Sequence, residues 1–321
     1  MPPDIRHHLE DFRAFMASTY GVRPLGDFRA DNQFHGMKTE EDRGGAKPFR
    51  YCVHLDGRQN VYFTDLKRGI SGVWFPEGQE PPSAAEREQL RREAEAQRLA
   101  RERQLADWQA RAAAKARKDW GRATRASPEH PYLVRKGVGV HGLRSLSVWE
   151  TWHEPEGGRP VPLCVLDVLL VPMRDQAGEL HNVQAIFPEV CPELGRDKDF
   201  PPRARKKGLM HWIGARTDTV CLAEGYATAA TIHEATGYRV FVCFDAGNLP
   251  IVAETVRAML PTARIVVCAD HDAPDRRGRQ AGIEKAHEAA ALAGGFVALP
   301  PVEGADFNDW GALLRGGAHG G

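Results

Sequence analysis

Three acidic groups along the chain each follow a short apolar run. Glu224-Gly225 follows TVCLA, Asp270-His271-Asp272 follows RIVVCA, and Asp306-Phe307-Asn308-Asp309 lies downstream of FVALP. Carboxylates brought together repel one another, and a cation relieves the repulsion. Mg²⁺ takes one or two carboxylates, keeps several waters and binds phosphate oxygens. The pattern therefore points to phosphoryl or nucleotidyl transfer. A lone Asp-x-Asp after a strand is a weak signal; three acidic groups in order, each at a strand end, are a stronger one. The sequence has no HExxH, GxxxxGK[ST] or GxSxG, so zinc-protease, P-loop and α/β-hydrolase readings lack support.

These groups need a scaffold that brings strand ends together. TVCLAE (219–224), RVFVCF (239–244), RIVVCAD (264–270) and FVALP alternate with helical stretches through GYATAATIHEATG, AETVRAML and GIEKAHEAAALAG. That rhythm predicts a parallel sheet wrapped by helices. The strands are continuously apolar, as strands covered on both faces must be. Ligands bind such sheets at the carboxyl ends of the strands.

Upstream, VLDVLLVPMRDQAGELHNVQAIF (165–187) predicts two strands joined by a turn at Asp175–Gly178. GRDKDFPPRARKKG (195–208) holds six Lys/Arg against two Asp. Residues 83–120 contain neither Gly nor Pro and are rich in helix formers. Ser83 and Glu86 form a capping-box pattern, and such a helix would run roughly 55 Å. Its first half lacks an apolar stripe. Its second half gains one at Leu105, Trp108, Ala112, Ala116 and Trp120, which predicts a solvated spacer that then docks on a domain. Ten Lys/Arg face six Asp/Glu over 86–118; this reads as a mixed-charge solvated helix or as a nucleic-acid contact. In residues 1–78, Leu9, Phe12, Phe15 and Met16 sit at helical spacing. FRYCVHL, NVYFTDL and GVWF, broken at Asp56-Gly57 and Arg68-Gly69, predict a β-meander. No chemistry follows from those residues alone.

Composition narrows the class. Of 321 residues, 42% are hydrophobic, enough for packed cores and unlike a disordered chain. The six cysteines are widely spaced with no CxxC, which argues against a zinc ribbon. Cys221, Cys243 and Cys268 lie inside apolar runs and read as buried reduced thiols in a cytoplasmic protein. There is no apolar run long enough to span a membrane, and MPPDIRHHLEDF lacks the plan of a secretory signal. Lys+Arg and Asp+Glu both number 43. The zero balance conceals segregation, with acid at strand ends and base at 196–207 and 87–118.

LAEGYATAATI, FDAGNL, CADHDAPDRRGRQAG and EGADFNDW together resemble the Toprim domain of bacterial-type primases, topoisomerases and some nucleases. VLLVPMRDQAGELHNVQAI resembles the strand pair that precedes Toprim in bacterial-type primases. KDFPPRARKKGLMHWIG resembles the basic element that follows it. HPYLVRKGV with DGRQNVYFTDLKRGISGVWF is similar to the primases of conjugative plasmids, phages and integrated mobile elements. The resemblance covers roughly residues 45–310 and is most specific over 165–310.

The resemblance implies an α/β architecture in several parts. A small N-terminal α+β domain with possible template binding occupies 1–78, and a long charged linker helix occupies 79–120. A primase-type α+β subdomain follows over 121–216. A Toprim domain with a four-stranded parallel sheet flanked by helices spans 217–312, and a tail covers 313–321. It also implies DNA primase activity: synthesis of short RNA primers on single-stranded DNA from nucleoside triphosphates, alongside a replicative helicase, with Mg²⁺ or Mn²⁺ and without zinc. Glu224, Asp270 and Asp272 take the catalytic positions, and the same three with Asp306 the metal positions. Lys198, Arg203, Arg205, Lys206, Lys207 and Asn248 take the nucleotide or DNA positions. Thr228 and Asn308 depart from the family by replacing frequent acids, which lowers the negative charge at the rim. A Toprim nuclease and an inactive accessory DNA-binding protein are the alternative readings.

Overall fold

The chain divides into two units, residues 1–96 and 97–321, each with its own apolar core. The structure, a computed structural model, describes residues 4–42, 47–56, 58–76, 84–153, 155, 159–274 and 278–317. Ser83 of the predicted capping box, Gly57 of the predicted turn and tail residues 318–321 lie outside the described residues.

In the first unit, α1 (Leu9–Tyr20) ends at Gly21, whose φ of 66° is the left-handed value glycine tolerates. The strands β1 (Phe34–Met37), β2 (Phe49–His54), β3 (Asn60–Asp65) and β4 (Ile70–Trp74) form an antiparallel sheet in that order. The predicted meander is β2–β4. The additional β1, FHGM, is too short and too polar to announce itself as a strand. Alternate strand residues, among them Phe49, Tyr51, Val61 and Phe63, pack with Phe12 and Met16 of α1.

Helix α2 (Ala84–Arg122) spans the unit boundary. Its residues 91–107 are exposed, whereas Ala112, Ala113 and Ala116 are buried. Docking therefore starts one turn later than predicted, at Trp108, and Leu105 stays 47% exposed.

The second unit holds two sheets. The first comprises β5 (Thr124–Arg125), β6 (Arg144–His153), β7 (Val161–Arg174), β8 (Leu180–Cys191) and β9 (Arg196–Asp199), antiparallel and in that order, with α3 (Pro131–Lys136) between β5 and β6. The β7–β8 turn falls where the sequence places it. The Asp175 carboxylate accepts from the Ala177 and Glu179 amides at 3.0 Å each, which fixes the turn.

The second sheet uses β10 (His211–Ile213), β11 (Thr219–Ala223), β12 (Arg239–Val242), β13 (Arg264–Cys268) and β14 (Phe296–Ala298) in the order β10-β12-β11-β13-β14. The last four are mutually parallel as expected, and β10 adds an antiparallel edge. Helices α4 (Tyr226–Thr236), α5 (Leu249–Met259), α6 (Ala281–Ala293) and α7 (Phe307–Gly317) surround it. Val220, Leu222, Ile265 and Val267 pack beneath α5 and α6, while Cys221, Ala223 and Cys268 pack beneath α4. Successive strand residues thus enter opposite cores, which is why the runs read as continuously apolar. No described helix is long and apolar enough to cross a membrane. None of the six cysteines is in a disulfide, and only Cys164 is exposed.

Candidate active site at the carboxyl edge of the parallel sheet

Neighbouring strands deliver the first two acidic groups to one place. Ala223 of β11 pairs with Cys268 of β13, so Glu224 and Asp270 leave adjacent strands at the same edge. The Glu224 carboxylate lies against the first turn of α6: a Cβ on Gly282 would sit 3.4 Å from Glu224 Oε1. An anion is stabilised beside a helix N-terminus. Burial, with Asp270, Asp272 and Asp245 adding repulsion, still pushes the Glu224 carboxyl up to about 7. Burial and the charges of Asp306 and Asp272 push Asp270 up to about 6, against the pull of Lys198.

Asp270 Oδ1 is buried and has no hydrogen-bond partner among the described residues. A buried acceptor left unpaired is costly, and the natural compensation here is a cation. Hard carboxylate oxygens suit Mg²⁺ or Mn²⁺. Among the described residues no three His, Cys, Asp or Glu side chains converge on one metal position. An ion bound here would draw on one or two carboxylates, with water and phosphate completing its shell. Glu224 and Asp270 are the largely buried carboxyls that could hold such an ion, and Asp272 nearby is exposed.

Asp306 is engaged differently. One carboxylate oxygen accepts from the Asn308 and Asp309 amides at 2.7 and 2.8 Å, capping α7. The other accepts from the Thr228 hydroxyl at 3.2 Å. Its charge reaches Asp270, but its oxygens already have protein donors. The His271 ring bonds the Pro300 carbonyl at 3.0 Å and stands apart from the carboxylates.

The two departures from the family pattern are structural contacts. Thr228 is buried and donates to Asp306, where an acid would face another acid. Thr228→Asp is therefore expected to destabilise the fold by about 2–4 kcal/mol at neutral pH, less at acid pH, as a denaturant midpoint would show. Asn308 is buried and donates to the Lys136 carbonyl at 2.8 Å and to Thr231 at 2.9 Å. It ties α7 to α3 and α4.

The basic residues sit in different surroundings. Lys198, on β9, lies near enough to Asp270 to oppose its upward shift. Lys206 pairs with Asp245 at 3.5 Å. Arg203, at a left-handed φ of 60°, stacks its guanidinium over Trp108 at 3.9 Å. Arg205 and Lys207 line a cavity of about 640 Å³ with Gln109, Asp175 and Thr255.

Asn248, expected at a nucleotide contact, is turned inward. It is buried, and its amide donates to the Leu209 and Cys243 carbonyls at 2.9 and 2.8 Å. Its oxygen accepts from the Gly208 amide at 2.7 Å. Both donor hydrogens and an acceptor are committed to the backbone, so the side chain brackets the basic loop against β12.

Asp245 was not among the predicted site residues, although the strand-end rule finds it after RVFVCF. It follows Phe244, whose φ of 73° is rare for a bulky residue. The Phe244 amide donates to the Glu224 carbonyl at 2.8 Å. That bond locks the strained backbone that turns Asp245 toward Glu224.

Comparisons with known proteins bear on the family of this segment. Residues 219–317 match the Toprim domain family. Two proteins described as DNA primase TraC, both from Escherichia coli, are similar to the chain. One is 30% identical over 278 residues, covering 84% of this chain and 24% of its own length. The other is 26% identical over 279 residues, covering 84% and 18%. The chain thus spans a minor part of the curated relatives it matches. Among solved structures, the RNA polymerase domain of Mycobacterium tuberculosis primase DnaG aligns with a TM-score of 0.42 at 19% identity, covering 66% of this chain and 82% of that one. The primase fragment of the bacteriophage T7 primase-helicase aligns at 0.39 and 17%, covering 61% and 75%. The carboxylate edge at Glu224 and Asp270 falls within the matched segment, and residues 219–317 belong to the Toprim family.

Proposed function

We propose that the chain is a DNA primase that joins ribonucleoside triphosphates into short primers on single-stranded DNA. The observation that carries this reading is the meeting of the basic element with the acidic edge. Segment 165–216 delivers Lys198 toward Asp270 and Lys206 to Asp245. A carboxylate edge alone would serve hydrolysis as well as synthesis; cations beside it provide for a triphosphate and a template backbone. The similarity to the two TraC primases across 84% of the chain supports it.

A divalent cation, Mg²⁺ or Mn²⁺, supplies charge neutralisation and activation of a 3′-hydroxyl when bound. Glu224 and Asp270 would hold it, and Asp272 would extend the acidic surface beside them. Glu224, against the first turn of α6, is the group placed to take or return a proton. Lys198 and Lys206 orient phosphate oxygens, so much of the catalysis is positioning and charge compensation. The cavity beside Arg205 and Lys207 is a track for template or triphosphate. The partners are then single-stranded DNA, nucleoside triphosphates and a replicative helicase, in the cytoplasm, for replication of a plasmid, phage or integrated mobile element. The domain limits implied by the resemblance belong to the same proposal.

Labelled ribonucleotides, Mg²⁺ or Mn²⁺ and single-stranded DNA test it. Labelled oligoribonucleotides are the expected product, and their appearance must depend on template. Shortening of the DNA with no RNA product would instead assign the site to a nuclease. Neither product with intact DNA binding would assign it to an accessory protein.

A further inference from the structure

The sheet of the first unit has a second face. Strand register puts Phe34, Cys52, Tyr62 and Val73 in one row across all four strands, and Gly36, Arg50, Thr64 and Ser71 in the next. These residues alternate with the ones that pack on α1. Phe34 is 65% exposed and Val73 50%; Arg50 and Ser71 are exposed as well. Phe34 meets Tyr62 edge-on at 5.7 Å, and Cys52 is buried between them in the row. The ring of Phe34 is therefore held by a neighbour while remaining accessible.

At the β1 edge this face opens into a cavity of about 780 Å³. Arg29, Lys38, Lys47 and Arg50 line it against a single acid, Asp27. None of these four cations makes an ion pair among the described residues. Asp31, near Arg29, is bonded to His35 at 2.8 Å. The Lys47 stem lies beside Gly36, its Cβ 3.4 Å from where a side-chain carbon would sit.

We propose that this face binds single-stranded nucleic acid, a base stacking on Phe34 while phosphates pass Lys47 and Arg50. Every base has a π-face, so an exposed held ring accepts any sequence, and cations alongside track the backbone. A paired duplex keeps its bases stacked inside and leaves Phe34 unused. An apolar protein segment would leave the four cations desolvated without partners. The assignment goes beyond primer synthesis, because it places a nucleic-acid contact in a unit that contains none of the site carboxylates.

Fluorescence anisotropy of the full chain with labelled oligothymidylate, in EDTA, tests it. Phe34→Leu keeps apolar bulk without a π-face and is expected to weaken binding about tenfold, while Phe34→Trp retains it. Lys47→Ala with Arg50→Ala is expected to lower the slope of log affinity against log salt by about 1.4. Phe34 is on the surface, and an unchanged melting temperature verifies folding. Unaltered oligothymidylate affinity of Phe34→Leu, or equal competition by duplex DNA, overturns the proposal and assigns the face to another occupant. A parent chain that binds through Phe34 but makes no primers refutes the primase reading alone. A parent that makes primers while Phe34→Leu binds normally refutes the platform alone.

Discussion

Asp270→Asn is expected to lower metal-dependent primer synthesis by about a thousandfold and, in the metal-free protein, to raise stability at about pH 8. Both effects come from one buried carboxyl. In the folded chain Asp270 is pushed up to about 6 and Glu224 to about 7, above ordinary carboxylates. Between the ordinary range and these values the folded state holds protons the unfolded state has released. Stability therefore falls as pH rises from about 4 to about 7. Above that window both carboxylates are ionised in a site that disfavours them, and a divalent cation removes the cost. The thermal shift produced by Mg²⁺ or Mn²⁺ should accordingly be larger at about pH 8 than at about pH 5. Asp270→Asn should lose most of that shift while unfolding at a higher temperature without metal. A pH-independent shift, or an unchanged one in the variant, would place the ion elsewhere.

Asn248→Ala is expected to cost about 3 kcal/mol or more of folding stability, with little change in intrinsic DNA affinity per folded molecule. The substitution leaves the Gly208 amide and the Leu209 and Cys243 carbonyls without their side-chain partner. Each buried polar group so abandoned costs about 1–3 kcal/mol, less where water can enter. Urea denaturation reads the stability loss, and anisotropy at low temperature reads DNA affinity. A variant of parental stability whose DNA affinity collapses would return Asn248 to the binding surface.

The parallel sheet was legible because burial on both faces leaves an unbroken apolar run, and the strand-end rule then located Glu224 and Asp270. Residue type alone did not distinguish the uses of a side chain. Asp306, two residues before Asn308, has the signature of a rim ligand and equally that of a helix cap, and its hydrogen bonds to α7 belong to the cap. Asn248 is a polar residue in a loop after a strand, and only tertiary packing shows it turned inward. Lys198, Arg203, Arg205, Lys206 and Lys207 are close in sequence, yet a left-handed residue at Arg203 and the bracket at Gly208 send them to different surroundings. The short β1 and β10, unlike the equally short β12 and β14, do not lie in a longer apolar run and could not be read without their neighbours. Thr228 and Asn308, which look like losses against the family pattern, are gains of buried hydrogen bonds.

The antiparallel strand β10 has a consequence for self-association. Open parallel sheets expose an edge whose unpaired amides and carbonyls can recruit a second chain into a growing stack. His211–Ile213 occupies that edge on β12, and the opposite edge, β14, is only three residues long. Because β10 precedes β12 in the chain, the cover is synthesised before the edge it protects. With β10 in place, the sheet offers a second copy only three-residue strands at its two edges.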